Sequence, residues 1–173
     1  LMRGVISEIE TEARQATSSL VAANTAEKDL TSLLRDTYLM AAQPTAERVE
    51  AVEGNLVDFG ISLDSAESIV VKPAYRATLN EMQQDFVGLS RLIREYSSNA
   101  AGRSAAETSV FIDRLAEYDD RMDTAVETVR DGSDADLQAA WSDLDAMATT
   151  TFWVAIAAVV LTAIGLFPLT RII

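Results

Sequence analysis

The chain has 173 residues, of which 14 are basic and 27 acidic, so its net charge is −13 at pH 7. This balance excludes nucleic acid as a partner, because nucleic-acid binding needs a basic surface. There is no Cys and no His, which excludes disulfides, thiolate zinc sites and the commonest general base of enzymes. We therefore expect no enzymatic activity, no catalytic residues, no metal and no other cofactor.

The first helix is predicted from apolar residues that recur at alternating spacings of three and four, the pattern of helices packed in a left-handed bundle. It ends at Gln43, because the residue before a proline is pushed out of the helical region and Pro44 follows. Its inward row is Met2, Ile6, Ile9, Ala13, Ala16, Leu20, Ala23, Glu27, Leu30, Leu34, Thr37 and Ala41.

The same spacing predicts three more helices, over residues 45–72, 74–101 and 104–131. Pro73 suits the first position of a helix, and Gly102 is a typical stop. Ser104 with Glu107 three residues later forms a capping box for the last of the three. Their inward rows are Val49, Val52, Leu56, Phe59, Leu63, Ala66 and Val70; Leu79, Met82, Phe86, Leu89, Ile93, Tyr96 and Ala100; and Thr108, Phe111, Leu115, Tyr118, Met122, Ala125 and Val129.

After Val129 the pattern is displaced by one residue and resumes at Leu137 and Trp141, across a polar run that contains Gly132. We expect a kink or a short interruption at this run. The alternative is a full reversal, which would carry the last helix away from the apolar segment that follows.

The fold predicted from these elements is all-α. It is an antiparallel up-down-up-down four-helix bundle over residues 15–131, in which the first and last helices are longer than the other two. Their extensions, residues 1–14 and 134–150, are expected to form a membrane-proximal stalk.

A long uncharged segment, residues 146–170, lies near the C-terminal end of the sequence. About 20 such residues cross a bilayer as a helix, so we predict a transmembrane helix over residues 151–170. Trp153 is expected to anchor it at the outer interface, and Arg171 to lie on the cytoplasmic side. The chain would then be a piece of a longer membrane protein with a second span upstream and the acidic body outside.

Two local segments carry a resemblance to a known family. Residues 34–44, Leu-Arg-Asp-Thr-Tyr-Leu-Met-Ala-Ala-Gln-Pro, end one long helix before another, and residues 169–173, Leu-Thr-Arg-Ile-Ile, follow the expected span. Together with the helical pattern of the whole chain, they resemble the extracytoplasmic sensor domains of bacterial chemoreceptors (methyl-accepting chemotaxis proteins) and of related sensor histidine kinases. The resemblance implies that residues 1–150 form a periplasmic or extracellular sensor domain and residues 171–173 begin a HAMP-like cytoplasmic linker.

The resemblance also implies where and with what the protein works. It implies the cell inner membrane, a homodimer, and either a small-molecule ligand, such as an organic or amino acid, or a periplasmic binding protein. The leading expectation is a ligand-sensing input domain of a chemotaxis transducer, which passes a helix shift through the C-terminal span to a cytoplasmic output module. Two alternatives stay open: the input domain of a sensor histidine kinase, and a membrane-tethered structural coiled coil or adaptor without a ligand.

A ligand-binding site is expected where the bundle turns, at the end away from the membrane. Arginine forks and tyrosine hydroxyls together can bind a small carboxylate. The alternative is that the arginines are solvated and offset the acidic surface. The candidate residues are Arg35, Tyr38, Arg48, Arg94, Tyr96 and Arg103.

Two features of the first helix have competing explanations. Glu27 lies in the inward row, where a carboxylate is costly unless it is paired. It is either a ligand contact, or a side chain that reaches solvent or fixes the register of the bundle. A stripe of small residues, Ala13, Ala16, Ala23 and Ala26, is either a dimer face or a close contact inside the bundle.

Overall fold

The computed structural model describes the backbone of residues 2–166 and the side chains of residues 4–159. Within these limits the chain is all-α, as predicted, and holds no strand. It consists of α1 (Met2–Ala42), α2 (Ala46–Ile69), α3 (Pro73–Ser97), a single 3-10 turn at Ala100–Gly102, and α4 (Ala105–Leu166).

The boundary between α1 and α2 follows from local chemistry. Thr45 is extended, and its hydroxyl accepts a hydrogen bond from the Arg48 backbone N–H at 3.3 Å, which caps the first turn of α2. At its other end α2 stops at Ile69, three residues before the predicted limit of 72. The residue before a proline is biased toward the extended conformation, and Lys72 adopts it before Pro73, so the helix must end earlier.

The end of α3 also comes earlier than predicted, at Ser97 in place of residue 101. The hydroxyls of Ser97 and Ser98 donate to the carbonyls of Arg94 and Glu95. Serine side chains that bind nearby backbone carbonyls offer the chain an alternative to the helix. The residues that follow form the 3-10 turn, and α4 then begins at the predicted capping box.

The interruption expected at Gly132 is wrong, because α4 runs through this position as one helix of 62 residues. A methyl group on Gly132 would approach within 2.5–2.7 Å of the Tyr75 ring and hydroxyl, so the glycine makes room for that side chain. The apparent shift of the apolar pattern arises because the buried position after Val129 is a polar residue, Ser133. From Ser133 the buried face continues at helical spacing to Ala140, seven residues later.

Hydrogen bonds between helices fix the antiparallel order of the four-helix bundle. In each pair of consecutive helices, residues further along one helix contact residues nearer the start of the other, as antiparallel packing requires. Asn55–Asp36 and Ser62–Asp29 join α2 to α1, Arg94–Glu53 and Gln83–Asp64 join α3 to α2, Arg121–Asp85 and Tyr96–Thr108 join α4 to α3, and Arg130–Glu27 joins α4 to α1. The turns between α1 and α2 and between α3 and α4 therefore lie at the same end.

The core of the bundle consists largely of the predicted inward rows, with Phe59 packed edge-on against Phe86 at a centroid distance of 5.2 Å. α1 buries a wider face than predicted, since Ala22, Ala26, Leu33 and Met40 join the row. Of the small-residue stripe, Ala16, Ala23 and Ala26 are buried inside this chain. A close contact within the bundle therefore accounts for the buried part of the stripe.

The chain divides into two units: residues 14–135, which hold the bundle, and the first 13 residues together with the chain from Asp136 onward. In the second unit Ile9 and Ala140 are buried, whereas Trp141 is exposed, against its expected place in the inward row. The stalk and its limits at 14 and 134 remain predictions.

The expected transmembrane helix, residues 151–170, extends beyond the last described side chain at residue 159. In the part that the structure describes, no helix is both long and apolar enough to cross a membrane. Trp153 is exposed on α4. Arg171 and the expected linker at 171–173 lie outside the described residues.

Candidate functional site

The arginines of the α1–α2 turn are held by contacts within the chain. Arg48 donates through Nη1 to the carbonyl oxygens of Leu39 and Gln43, at 2.7 and 3.3 Å, and so caps the end of α1. Arg35 forms a two-point ion pair with Asp36, at 2.9 and 3.4 Å. This pair holds the pKa of Asp36 below its usual range, chiefly through the hydrogen bond from Arg35. Neither guanidinium lines the cleft at the α3–α4 turn or the grooves beside α2.

Tyr38 lies half-buried on α1, within electrostatic reach of Asp119 on α4. Burial, and then the charge of Asp119, raise the pKa of the Tyr38 hydroxyl. The pKa of Asp119 is itself raised, first by burial and then by Asp123 and Asp120. This is a crowded acidic region, which disfavours an anionic ligand beside Tyr38.

Arg94 points across the α2–α3 contact, where its Nε donates to the Glu53 carboxylate at 3.3 Å. The pair is exposed on both sides, so it contributes little to stability. Arg94, Arg35, Tyr38 and Arg48 are four of the six predicted site residues. None of the four lines the cleft at the α3–α4 turn.

The α3–α4 turn encloses a cleft of about 330 Å³. Its base is an aromatic pair, Tyr96 and Phe111, both buried and stacked with ring centroids 3.9 Å apart. The Tyr96 hydroxyl is held at 3.0 Å from the Thr108 hydroxyl, which ties the end of α3 to the start of α4. The lining residues are Leu92, Glu95, Tyr96, Arg103, Ala106, Glu107, Val110, Phe111 and Arg114.

Arg103 forms contacts that hold the turn together through two of its three guanidinium nitrogens. Its Nη2 donates to the Glu95 carbonyl at 2.8 Å, and its Nη1 lies 3.5 Å from Glu107 Oε1. The guanidinium carbon lies 5.9 Å from the centroid of the Tyr96 ring. The buried Nε has no hydrogen-bond partner among the described residues. A buried donor without a partner is unusual in folded proteins.

Glu107 is engaged at the first turn of α4. Its carboxylate accepts from the backbone N–H and the hydroxyl of Ser104, at 2.8 and 2.7 Å, which is the predicted capping box. These hydrogen bonds, the backbone one first, lower the pKa of Glu107. The Glu107 carboxylate is thus occupied by hydrogen bonds at the start of α4 and by its contact with Arg103.

Arg114 is the basic residue of the cleft that the sequence analysis did not predict. It is exposed on the rim and, among the described residues, has no ion pair or hydrogen bond. The Glu95 carboxylate, on the opposite helix, is also exposed and unpaired within the described chain. A signal was present in the sequence, because Glu107, Val110 and Arg114 recur at the spacing of one helix face. The prediction concentrated on the turns and overlooked that face.

Glu27 is paired within the chain and is not an isolated buried charge. It accepts two hydrogen bonds from Nη1 of Arg130 on α4, at 2.9 and 3.0 Å, in a half-buried ion pair. This ion pair is consistent with the register role expected for Glu27, because it links α1 to α4 at one level of the bundle. Among the described residues no group of acidic side chains is arranged to hold a metal ion.

Comparisons with known proteins support the fold but not a family. No family model matches the chain, and no curated protein matches its sequence. Among solved structures, the fold is similar to one described as a periplasmic sensor domain of a sensor histidine kinase. The TM-score is 0.71 with 12% sequence identity, over 79% of this chain and 95% of that chain. The chain therefore has the helical fold of that periplasmic sensor domain along most of its length.

Proposed function

We propose that this chain is the extracytoplasmic input domain of a signalling protein of the cell inner membrane, and that it senses a small molecule. The fold likeness to a kinase sensor domain, over nearly the whole of that domain, is the observation that carries the proposal. It favours a sensor histidine kinase over the chemotaxis transducer that the sequence first suggested. The proposal gives the chain no catalytic activity and no cofactor.

The ligand site of the proposal is the cleft at the α3–α4 turn. The exposed guanidinium of Arg114 offers donors for a carboxylate, and the buried, unpaired Nε of Arg103 would add one more if the turn shifts to expose it. Leu92, Val110 and the face of the aromatic pair supply an apolar wall for the rest of the ligand. A cleft of about 330 Å³ lies in the size range of small-molecule sites.

The chemical class that fits is a small carboxylic acid with an apolar body. Glu95 offers an acceptor opposite Arg114, so an amino acid would meet a partner for each of its two charges. An organic acid without an amino group would leave Glu95 unpaired. Apolar amino acids are therefore the first candidates, and organic acids the second.

Transmission would pass through α4, which contributes Glu107, Val110 and Arg114 to the cleft and continues as one helix to Leu166. A ligand that contacts both α3 and α4 biases any equilibrium between two packings of these helices. The available coupling free energy is the differential affinity for the two packings, typically about 1–3 kcal/mol. The span over residues 151–170 would carry the change to a cytoplasmic output module.

The test is a thermal-shift screen of amino acids and organic acids on the chain, followed by titration of each hit. We expect Arg114→Ala to weaken binding at least about tenfold, because a charge-assisted hydrogen bond is lost. The matched control is Arg35→Ala, which removes an arginine at the same end of the bundle but outside the cleft. Equal loss in both variants, or no hit at all, would contradict the cleft as the ligand site.

A second experiment tests the signalling role. The chain would replace the input domain of a sensor kinase in a chimera, and kinase output would be measured with and without each hit. We expect a response that Arg114→Ala abolishes without changing protein levels. A response only in a chemoreceptor chimera would restore the chemotaxis alternative. If the ligand were a periplasmic binding protein, the chimera would respond only when that protein is added. If the chain were a structural coiled coil, neither chimera would respond.

A further inference from the structure

A second open space lies between α2 and α3, apart from the cleft at the α3–α4 turn. This α2–α3 groove has a volume of about 910 Å³, against about 330 Å³ for the cleft. Two small residues line it, Gly60 on α2 and Ser90 on α3. A methyl group on Gly60 would already come within 3.2 Å of the Phe86 ring. The groove is therefore open because small residues stand where larger side chains would fill the contact between the helices.

Ser90 places a polar group without a partner at this groove. The residue is only 9% exposed, and its hydroxyl makes no hydrogen bond within the part of the chain that the structure describes. Other hydroxyls of the bundle donate to the carbonyl four residues earlier, as Thr37 does to Leu33 at 2.7 Å. Buried polar side chains are nearly always hydrogen-bonded. Because Ser90 lines an open groove, a group on a bound molecule can reach its hydroxyl.

The two ends of the groove carry opposite charge. The contacts Arg94–Glu53 and Gln83–Asp64 join α3 to α2 at two different levels. Arg94 lines the groove at the first level, close to the α3–α4 turn, and Asp64 lines it at the second. Since Asp64 accepts from Gln83 at 2.9 Å, that end is acidic and disfavours an anion. A bound anion would therefore lie at the end that holds Arg94.

The basic end offers donors for one anionic group. Ser90 and Arg94 are four residues apart, so their side chains are neighbours on one face of α3. Arg94 gives only its Nε to Glu53, at 3.3 Å, and its two terminal nitrogens have no partner among the described residues. Arg91, also at this end, forms no ion pair or hydrogen bond with the described chain. Glu53 and Glu95 lie nearby, so a monoanion such as a carboxylate fits better than a dianion.

The middle of the groove is apolar and of limited length. Val57, Ile61 and Val87 line it and are 56%, 62% and 59% exposed. On α2 the lining runs from Leu56 to Asp64, which is about 12 Å at ~1.5 Å per residue. An extended chain of atoms advances about 1.2 Å per bond, so about ten chain atoms span this distance.

From the donors at one end, the apolar middle and this length, we infer that the α2–α3 groove binds a medium-chain carboxylate. The carboxylate accepts hydrogen bonds from Ser90 and Arg94, and the alkyl chain lies along Val57 and Ile61 toward Asp64. This site is separate from the α3–α4 cleft, and the inference does not rest on the function proposed for that cleft.

A fluorescent label at each site tests the inference on the full chain in detergent, because the chain has no cysteine of its own. Val87→Cys places a solvatochromic dye at the groove. The matched control is Val110→Cys, which lines the cleft and replaces a valine that is also 59% exposed. We expect decanoate to shift the emission of the Val87→Cys label with saturation and to leave the Val110→Cys label unchanged. Detergent takes up the same share of decanoate in both samples.

Equal responses of the two labels, or a response at Val110→Cys alone, would overturn the inference. A response at Val110→Cys alone would place the acid in the cleft and leave the function proposed for that cleft intact. No response at either label would also overturn the groove as a carboxylate site.

Variants in the Val87→Cys protein test the donors. Arg94→Ala should raise the dissociation constant of decanoate at least about tenfold, because a charge-assisted hydrogen bond is lost. Ser90→Ala should raise it about threefold or more, and Arg94→Lys should restore part of the loss. Arg114→Ala, in the cleft, should match the parent protein, and circular dichroism checks that each variant folds. An Arg94→Ala variant that binds decanoate unchanged, or an equal loss in Arg114→Ala, would refute this site.

The alkyl chain is tested by hexanoate at the same free concentration, fixed by dialysis. Hexanoate should bind at least about tenfold more weakly than decanoate, since its shorter chain buries fewer CH₂ groups. Equal affinity of the two acids would show that the apolar middle of the groove does not hold the chain, and would overturn the inference.

Discussion

The two turns at one end of the bundle use their arginines differently. In the α1–α2 turn, Arg48 caps the end of α1 and Arg35 is paired with Asp36, so both guanidinium groups are satisfied by the chain itself. In the α3–α4 turn, the buried Nε of Arg103 and the guanidinium of Arg114 on the rim of the cleft have no partner in the part of the chain that the structure describes. The comparison teaches that position near a turn does not by itself leave an arginine available to a ligand, because the chain can satisfy its donors, as it does for Arg35 and Arg48.

The largest effect is expected from the aromatic pair that underlies the cleft. Phe111→Ala removes a buried ring stacked on Tyr96, and we expect a loss of about 3–5 kcal/mol in the free energy of unfolding. The measurement is urea unfolding followed by circular dichroism. The control in the other turn is Val49→Ala, at a half-buried position, for which about 1 kcal/mol is expected. Similar losses in both variants would mean that the two turns are held together equally.

A smaller effect is expected from the cap of α1. Arg48→Met keeps much of the apolar stem but removes the hydrogen bonds to Leu39 and Gln43, and we expect a loss of about 1–2 kcal/mol. Arg35→Met, which breaks an exposed pair, should cost less than Arg48→Met. Both are measured by urea unfolding at pH 7, and the ligand affinity of both should equal that of the wild type. If Arg48→Met weakened ligand binding, the contrast between the turns would fail.

The smallest effect concerns Asp119, whose pKa is raised mainly by burial. A carboxyl with a higher pKa in the folded than in the unfolded chain contributes stability below its unfolded pKa and loses it as the pH rises through the folded pKa. At pH 7 the charged carboxylate therefore destabilises the fold, and Asp119→Asn should stabilise it by less than about 1 kcal/mol.

The pH dependence provides the check on Asp119. The gain from Asp119→Asn should disappear below about pH 3, where the wild-type carboxyl is also protonated. Urea unfolding of both proteins at the two pH values measures the difference. Asp113→Asn, an exposed site on the same helix, should show almost no change at either pH. A gain that persists in acid would show that charge is not its cause.

Much of the fold could be predicted because apolar spacing is a local property of the sequence. The inward rows of α2 and α3, the end of α1 before Pro44 and the capping box at Ser104 are all confirmed. The interruption at Gly132 was predicted wrongly because glycine and polar residues are ambiguous signals. Whether Gly132 breaks a helix or accommodates Tyr75 depends on a residue nearly 60 positions away.

The lining of the candidate cleft was predicted only in part, for a related reason. Tyr96 and Arg103 line the cleft as expected, whereas Arg35, Arg48 and Arg94 are occupied by Asp36, by backbone carbonyls and by Glu53. Their positions near the turns were foreseeable from helix lengths. Their partners were not, because hydrogen bonds across helices depend on the register and rotation of each helix.

The sequence by itself determined the helical class, the four helices of the bundle and most of the residues that form the core, since these follow from the periodicity of apolar side chains and from the signals at Pro44, Pro73 and Ser104. Tertiary structure decided which charges remain free. Glu27 meets Arg130, Arg48 meets the end of α1, and Arg114 is left on the rim of the cleft. The physical reason is that a polar group is satisfied by whatever lies within about 3 Å of it, and only the packing of the four helices sets those distances.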